Sequence, residues 1–161
     1  MKHLILILTL TLVGLGACKK DKPTAVKTFA DYSLGDIVAQ QANISAELVT
    51  YDHQSLTNFK AGSILFFKTT AGNYGKMEVL SVDANLNLKL NLVVYNSQDG
   101  TVLLQKSAIT LGIANNVFDL DDPNMPAVIT TDADFGWMTV GGYRCIYFVD
   151  ANGANVMLFK I

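Results

Sequence analysis

The clearest pattern in the chain is a strict alternation in which Leu86, Leu88, Leu90, Leu92 and Val94 take turns with Asn87, Lys89, Asn91, Val93 and Tyr95. A period of two puts five aliphatic side chains on one face of an extended segment, which predicts a half-buried antiparallel strand. Upstream, Ile64-Leu65-Phe66-Phe67 is a short apolar run suited to a strand covered on both faces. Ala71 to Gly75 break it, and Lys76 to Val82 return. Downstream, Ser97-Gln98-Asp99-Gly100 offers the glycine that a tight connection needs, and Thr101 to Lys106 run back. Alternation resumes at Ile109, Leu111 and Ile113, followed by the shorter piece Val117 to Leu120. Asp121 to Pro126 hold two of the three prolines, which excludes a central strand there. Tyr143 to Val149 and Asn155 to Ile161 flank Asn152-Gly153, a strong hairpin signal.

Short strands joined by glycine and asparagine turns predict an all-β fold, mainly antiparallel, as a β-sandwich or barrel over residues 29 to 161. Residues 29 to 59 fit two templates. Leu34, Ile37, Val38, Ala42, Ser45, Leu48 and Val49 line a helix face, whereas Ala46 to Tyr51 read as a strand; β structure is expected because all that follows is β.

The start of the chain is different in kind. Met1-Lys2-His3 is basic, Leu4 to Val13 is apolar apart from Thr9 and Thr11, and Gly16-Ala17 are the small residues a signal peptidase requires. The run from Leu4 to Ala17 is shorter than the roughly 20 residues of a membrane-spanning helix, so a cleaved secretory signal is expected. Leu15-Gly16-Ala17-Cys18 resembles the lipobox of bacterial lipoproteins. That resemblance implies lipidation of the Cys18 thiol and cleavage just before it, and an anchor of two or three acyl chains holds stably where one does not. Lys19-Lys20-Asp21-Lys22 is similar to the charged start of Bacteroidota lipoproteins, which implies the outer membrane and display at the cell surface. The expected organisation is a signal peptide at 1–17, the lipidated cysteine and a tether at 18–28, and the β domain at 29–161. Within the tether, Lys19 to Lys27, with Pro23, reach at most about 30 Å. Over roughly residues 58 to 122 the chain also resembles small uncharacterised lipoprotein β domains of Bacteroidota, through Phe59-Lys60-Ala61-Gly62, Gly75-Lys76-Met77 and Asp119-Leu120-Asp121. That group implies no activity.

Charge narrows the partners. Without Lys2 the mature chain has 12 − 1 = 11 basic residues against 14 acidic, a balance of −3, with Arg144 its single arginine. The basic face of a nucleic-acid binder is missing. With Cys18 lipidated, Cys145 has no intrachain partner, so neither a disulfide framework nor a cysteine zinc site is expected.

Two groups of residues are candidates for chemistry. Asp119, Asp121, Asp122, Asp132 and Asp134 place five of the fourteen acidic residues within sixteen positions. Carboxylates on an irregular loop suit calcium, which takes six to eight oxygens, and equally suit the capping of turns. Asp134 and Trp137, with Tyr143 and Arg144, read as a platform on which an aromatic ring stacks on a sugar or peptide, provided that Trp137 is exposed; a buried Trp137 is a core residue. Catalytic constellations are poorly represented. Cys145 sits within an alternating run, where a buried inert thiol is the default, and His53 is the mature chain's one histidine.

The expectation is therefore a lipid-anchored outer-membrane binding or accessory module with no assigned catalytic residue and no cofactor beyond the calcium reading. Its partners would be the membrane, through the anchor, and a glycan or an envelope protein. Two rivals stay open: a small envelope glycan hydrolase using two carboxylates, and a structural subunit that adds a strand to a partner through an exposed edge, with Asn155 to Ile161 as the candidate.

Overall fold

The computed structural model describes residues 26–43, 49–52, 57–113, 117–128, 133–148 and 159–160. Its elements, in chain order, are helix α1 (Leu34–Ala39) and strands β1 (Val49–Thr50), β2 (Thr57–Asn58), β3 (Ile64–Lys68), β4 (Tyr74–Val82), β5 (Leu88–Tyr95), β6 (Val102–Leu111), β7 (Val117–Phe118), β8 (Ala127–Val128), β9 (Phe135–Val140), β10 (Tyr143–Phe148) and β11 (Phe159–Lys160). They form two separate sheets, ordered β11-β3-β4-β5-β6 and β2-β1-β10-β9-β7-β8. Every pairing is antiparallel except β1 with β2. Of the two expected architectures the sandwich is the one that forms, without closure into a barrel.

The main core lies between the sheets. The five-stranded sheet contributes Leu65, Phe67, Met77, Val79, Leu88, Leu90, Leu92, Val94 and Leu104, and the other contributes Phe135, Trp137 and Ile146. The alternation in β5 accordingly points four of its five aliphatics inward. Leu86, the fifth, stands in the preceding turn with φ 63° and is only half-buried. Asp83 holds that turn by accepting from the amides of Asn85 and Asn87. The apolar run of β3 is covered on both faces, as its pattern requires. Leu65 and Phe67 enter the main core, while Ile64 and Phe66 join Ile37 and Tyr74 in a smaller cluster on the outer face.

That outer cluster corrects the expectation of β structure for the first part of residues 29 to 59, whereas the strand expected over Ala46 to Tyr51 is present as β1 at Val49–Thr50, with β2 following at Thr57–Asn58. Residues 34–39 are helical because Ser33 and Asp36 form a reciprocal capping box, the Ser33 amide donating to Asp36 at 2.8 Å and the Asp36 amide to Ser33 Oγ at 3.3 Å. Burial of Ile37 against the sheet then holds the turn and a half of helix that propensity alone would not. Lys76 on β4 reinforces the contact. Its buried ammonium donates to the carbonyls of Phe29, at 2.7 Å, and Tyr32, over the Phe29 ring at 4.7 Å.

The return strand expected over Thr101 to Lys106 continues as β6 to Leu111, with two register shifts against β5. At one of them Ala108 adopts φ 52° and its amide donates to Asn91 Oδ1 at 2.9 Å. Strand β9 was not among the sequence expectations. Of the predicted terminal strand Asn155 to Ile161, Phe159–Lys160 pair with β3 and the rest lies outside the described residues, as do Cys18, its signal and the Asn152-Gly153 turn.

Candidate functional site

Three of the five candidate aspartates converge. Asp119, Asp121 and Asp134 bring one carboxylate oxygen each within 4.8 Å of one another; Asp122 stands outside the group and Asp132 outside the described residues. Asp134 is 0% exposed. Its two oxygens accept from the amide of Thr70, in the β3–β4 turn of one sheet, and from the amide of Leu120, after β7 of the other, the latter at 2.8 Å. Asp121 accepts from Thr69 Oγ1 at 2.7 Å, Asn73 Nδ2 at 2.9 Å and the Ala71 amide at 3.1 Å. Asp119 caps the amides of Asp121 and Asp122, and Asp122 that of Asn124.

Protein donors thus engage this carboxylate node, which ties the β3–β4 turn to the loop after β7. Burial pushes the Asp134 carboxyl up to about 6, against the pull of the two amides, with the Asp121 charge adding to the rise. The oxygen separations are within a calcium ion's reach, but the donors already present account for the arrangement. A carboxylate with no exposed surface also makes no contact with a substrate, so Asp134 offers the hydrolase reading no acid or base at the surface.

The four residues of the expected aromatic platform separate. Trp137 is 1% exposed, its ring meets Phe59 edge-on at 5.9 Å, and its indole N–H donates to the carbonyl of Leu86 at 2.8 Å. The platform reading of Trp137 is corrected accordingly: an inward position on β9 and a satisfied N–H make this a core residue. Asp134 precedes β9, whereas Tyr143 and Arg144 begin β10 at the far end of the same hairpin, where Arg144 registers with Thr139. Five residues of strand, about 17 Å, separate the two ends.

At that far end another group assembles, of which sequence reasoning had only half. The β9–β10 turn is Gly141-Gly142, with φ 60° and 89°, the left-handed pair that a two-residue hairpin of twisted strands requires. Strand β1 lies on the other side of β10, with Thr50 opposite Cys145 and the amide of Tyr51 donating to the Arg144 carbonyl at 2.9 Å. This puts Asp52 beside Arg144. The carboxylate accepts from the Arg144 amide at 3.0 Å and pairs with one terminal nitrogen of the guanidinium, Nη2. Arg144 Nε is buried without an acceptor among the described residues. Tyr51 and Tyr143 are 39% and 40% exposed. Tyr143 follows the alternation of β10 onto the opposite face from Arg144. No sequence signal marked Tyr51 and Asp52, because the pairing that brings them to Arg144 spans more than ninety residues.

Matched against family models, curated proteins and solved structures, the chain finds no counterpart. The site has to be read from its own chemistry. Cys145 is buried, its thiol is raised by burial, and its Sγ lies 3.7 Å from the Met138 carbonyl, so it is held as an unreactive thiol. His53, the base it would need, lies outside the described residues. The other edge-directed feature is β6, ten residues long with β5 as its neighbour in the sheet order. Its two bulges and Lys106 are devices that discourage strand addition.

Proposed function

We propose that this protein is a lipid-anchored binding or accessory module of the bacterial envelope, held at the outer membrane through Cys18. Its partner would be recognised at the rim formed by Tyr51, Asp52 and Arg144. The observation that carries the reading is Arg144, which is half-buried, pinned by its backbone and one guanidinium nitrogen, and left with donors that the described residues do not engage. A purely structural arginine pair ordinarily engages the planar fork bidentately. The exposed Tyr51 beside it supplies the rigid amphipathic surface that recognition sites favour. The anchor rests on the lipobox resemblance, and the outer-membrane address on the charged residues behind it.

The test is affinity capture from intact cells, with the full chain tagged at its C-terminus and cross-linked before lysis. Wild type should retain a protein or glycan that Arg144→Lys loses; an unchanged capture profile would remove the rim from the proposal. For the anchor, Cys18→Ala should move the protein from the membrane to the soluble fraction, and palmitate labelling that persisted in this variant would overturn lipidation.

A further inference from the structure

We infer that the rim around Arg144 takes a neutral, hydroxyl-rich glycan, with Tyr51 as the stacking ring and the Asp52–Arg144 couple as the hydroxyl clamp. This rests on the rim being the recognition site and names the class of ligand it takes.

Three observations point to that class. A sugar hydroxyl both donates and accepts, while an arginine only donates and a carboxylate only accepts. Asp52 and Arg144, fixed side by side, offer that pair of functions to two adjacent hydroxyls. Asp52 takes one guanidinium nitrogen, and Nε is enclosed with no acceptor among the described residues, so the donors outnumber what those residues engage. The Arg144 side chain is 32% exposed, so its outward N–H groups have a route to a ligand oxygen or the water it carries. The opposed charges of the couple also cancel, leaving little local field to draw in an anionic or cationic ligand.

Tyr51 supplies the other half of sugar recognition. Its ring packs on Phe59 at 5.9 Å and 43°, and Phe59 in turn meets Trp137 at 5.9 Å, so a column of rings runs from the core to the rim. A ring backed in this way is already ordered and loses little entropy when the C–H face of a pyranose settles on it. Thr139, exposed and in register with Arg144, adds a hydroxyl, and a Cβ built at Gly141 or Gly142 meets nothing within 4 Å, so the approach over the turn is open.

The test is affinity electrophoresis of the full chain, in detergent, through gels carrying dextran, xylan, mannan or polygalacturonate, with the thermal midpoint of each variant as the folding control. At least one neutral polymer should retard the wild type. Tyr51→Ala and Arg144→Lys should each weaken that retention about tenfold, the scale of one lost stacking or forked hydrogen-bond contact. Arg144→Lys keeps the ion pair with Asp52 and loses only the fork, so it reports binding without dismantling the strand. Asp52→Asn should also weaken retention, because the carboxylate accepts from the sugar. Retardation by polygalacturonate alone, strengthened by Asp52→Asn, would overturn the neutral class while leaving the rim as the site. Retardation by a neutral polymer that no rim variant alters would overturn the rim itself. Retardation by none of the four, with capture from cells still dependent on Arg144, would overturn the glycan and leave a protein partner at the same rim.

Discussion

Asp134 shows how much one residue's role depends on its surroundings. As one of five clustered aspartates it reads as a solvated turn cap or a calcium ligand; in the fold it is enclosed, takes an amide from each sheet and stands beside two further carboxylates. Its carboxyl titrates at about 6, against an ordinary value of 3.8. The folded state therefore binds the proton more tightly than the unfolded chain, and the stabilisation from protonation is complete below about pH 4 and lost as pH rises through 6. A difference of about two pH units corresponds to about 3 kcal/mol. Asp134→Asn should flatten that part of the stability-versus-pH curve, measured by urea unfolding between pH 4 and 8; a curve parallel to wild type would mean that the carboxyl is not desolvated in solution. Trp137 makes the same point in reverse. The residue type suggested a surface platform, and its position on the inner face of β9, with Leu86 supplying the acceptor, makes it core.

At the level of elements, most of what the pattern predicted is present because each strand carries its own instructions. The period-two run over Leu88 to Val94 and the doubly apolar Ile64 to Phe67 need only a sheet on which to lie. Strand β9 went unread although Gly141-Gly142 between Val140 and Tyr143 is a hairpin signal, because the aspartates and Trp137 before it invited a functional reading. Helix α1 was legible through Ser33-Leu34-Gly35-Asp36, a capping box outweighed by the β character of everything downstream. Gly75 could not have been read at all. In register with Phe67, it lets that ring lie across its Cα, and a Cβ there would stand 2.1 Å from the ring. Gly75→Ala should cost about 1–3 kcal/mol through overpacking, seen as a lowered urea midpoint with unchanged m-value. Full retention of stability would show that Phe67 has another rotamer open to it.

The described residues form two sheets over a main core, with residues 26–43 folded back on the outer face of one of them. That segment would join the proposed tether to the β domain, so any pull from the proposed anchor would be delivered to it first. Lys76 is the clasp. Its ammonium holds two carbonyls of the segment, and burial pulls it below the usual lysine range, with Asp36 and Asp31 opposing the shift. Lys76→Met keeps the stem's packing and removes the donors, leaving two carbonyls unpaired at about 1–3 kcal/mol. The prediction is faster proteolytic cleavage within residues 26–43 while the sheets stay resistant, read by mass spectrometry of a time course. Equal cleavage rates would mean that Ile37 and the ring contacts hold the segment alone.

What the sequence determined by itself was what depends on neighbours along the chain: the strand periods, the glycine turns and the all-β class. These follow from dihedral preferences and from which side of a strand a residue faces, and both are settled within a few positions. The tertiary structure alone decided sandwich over barrel, the burial of Asp134 and Trp137, and the meeting of Asp52 with Arg144. Each depends on segments far apart in sequence being packed or paired, and the free energy of those contacts exists only once the two sheets have closed on a common core.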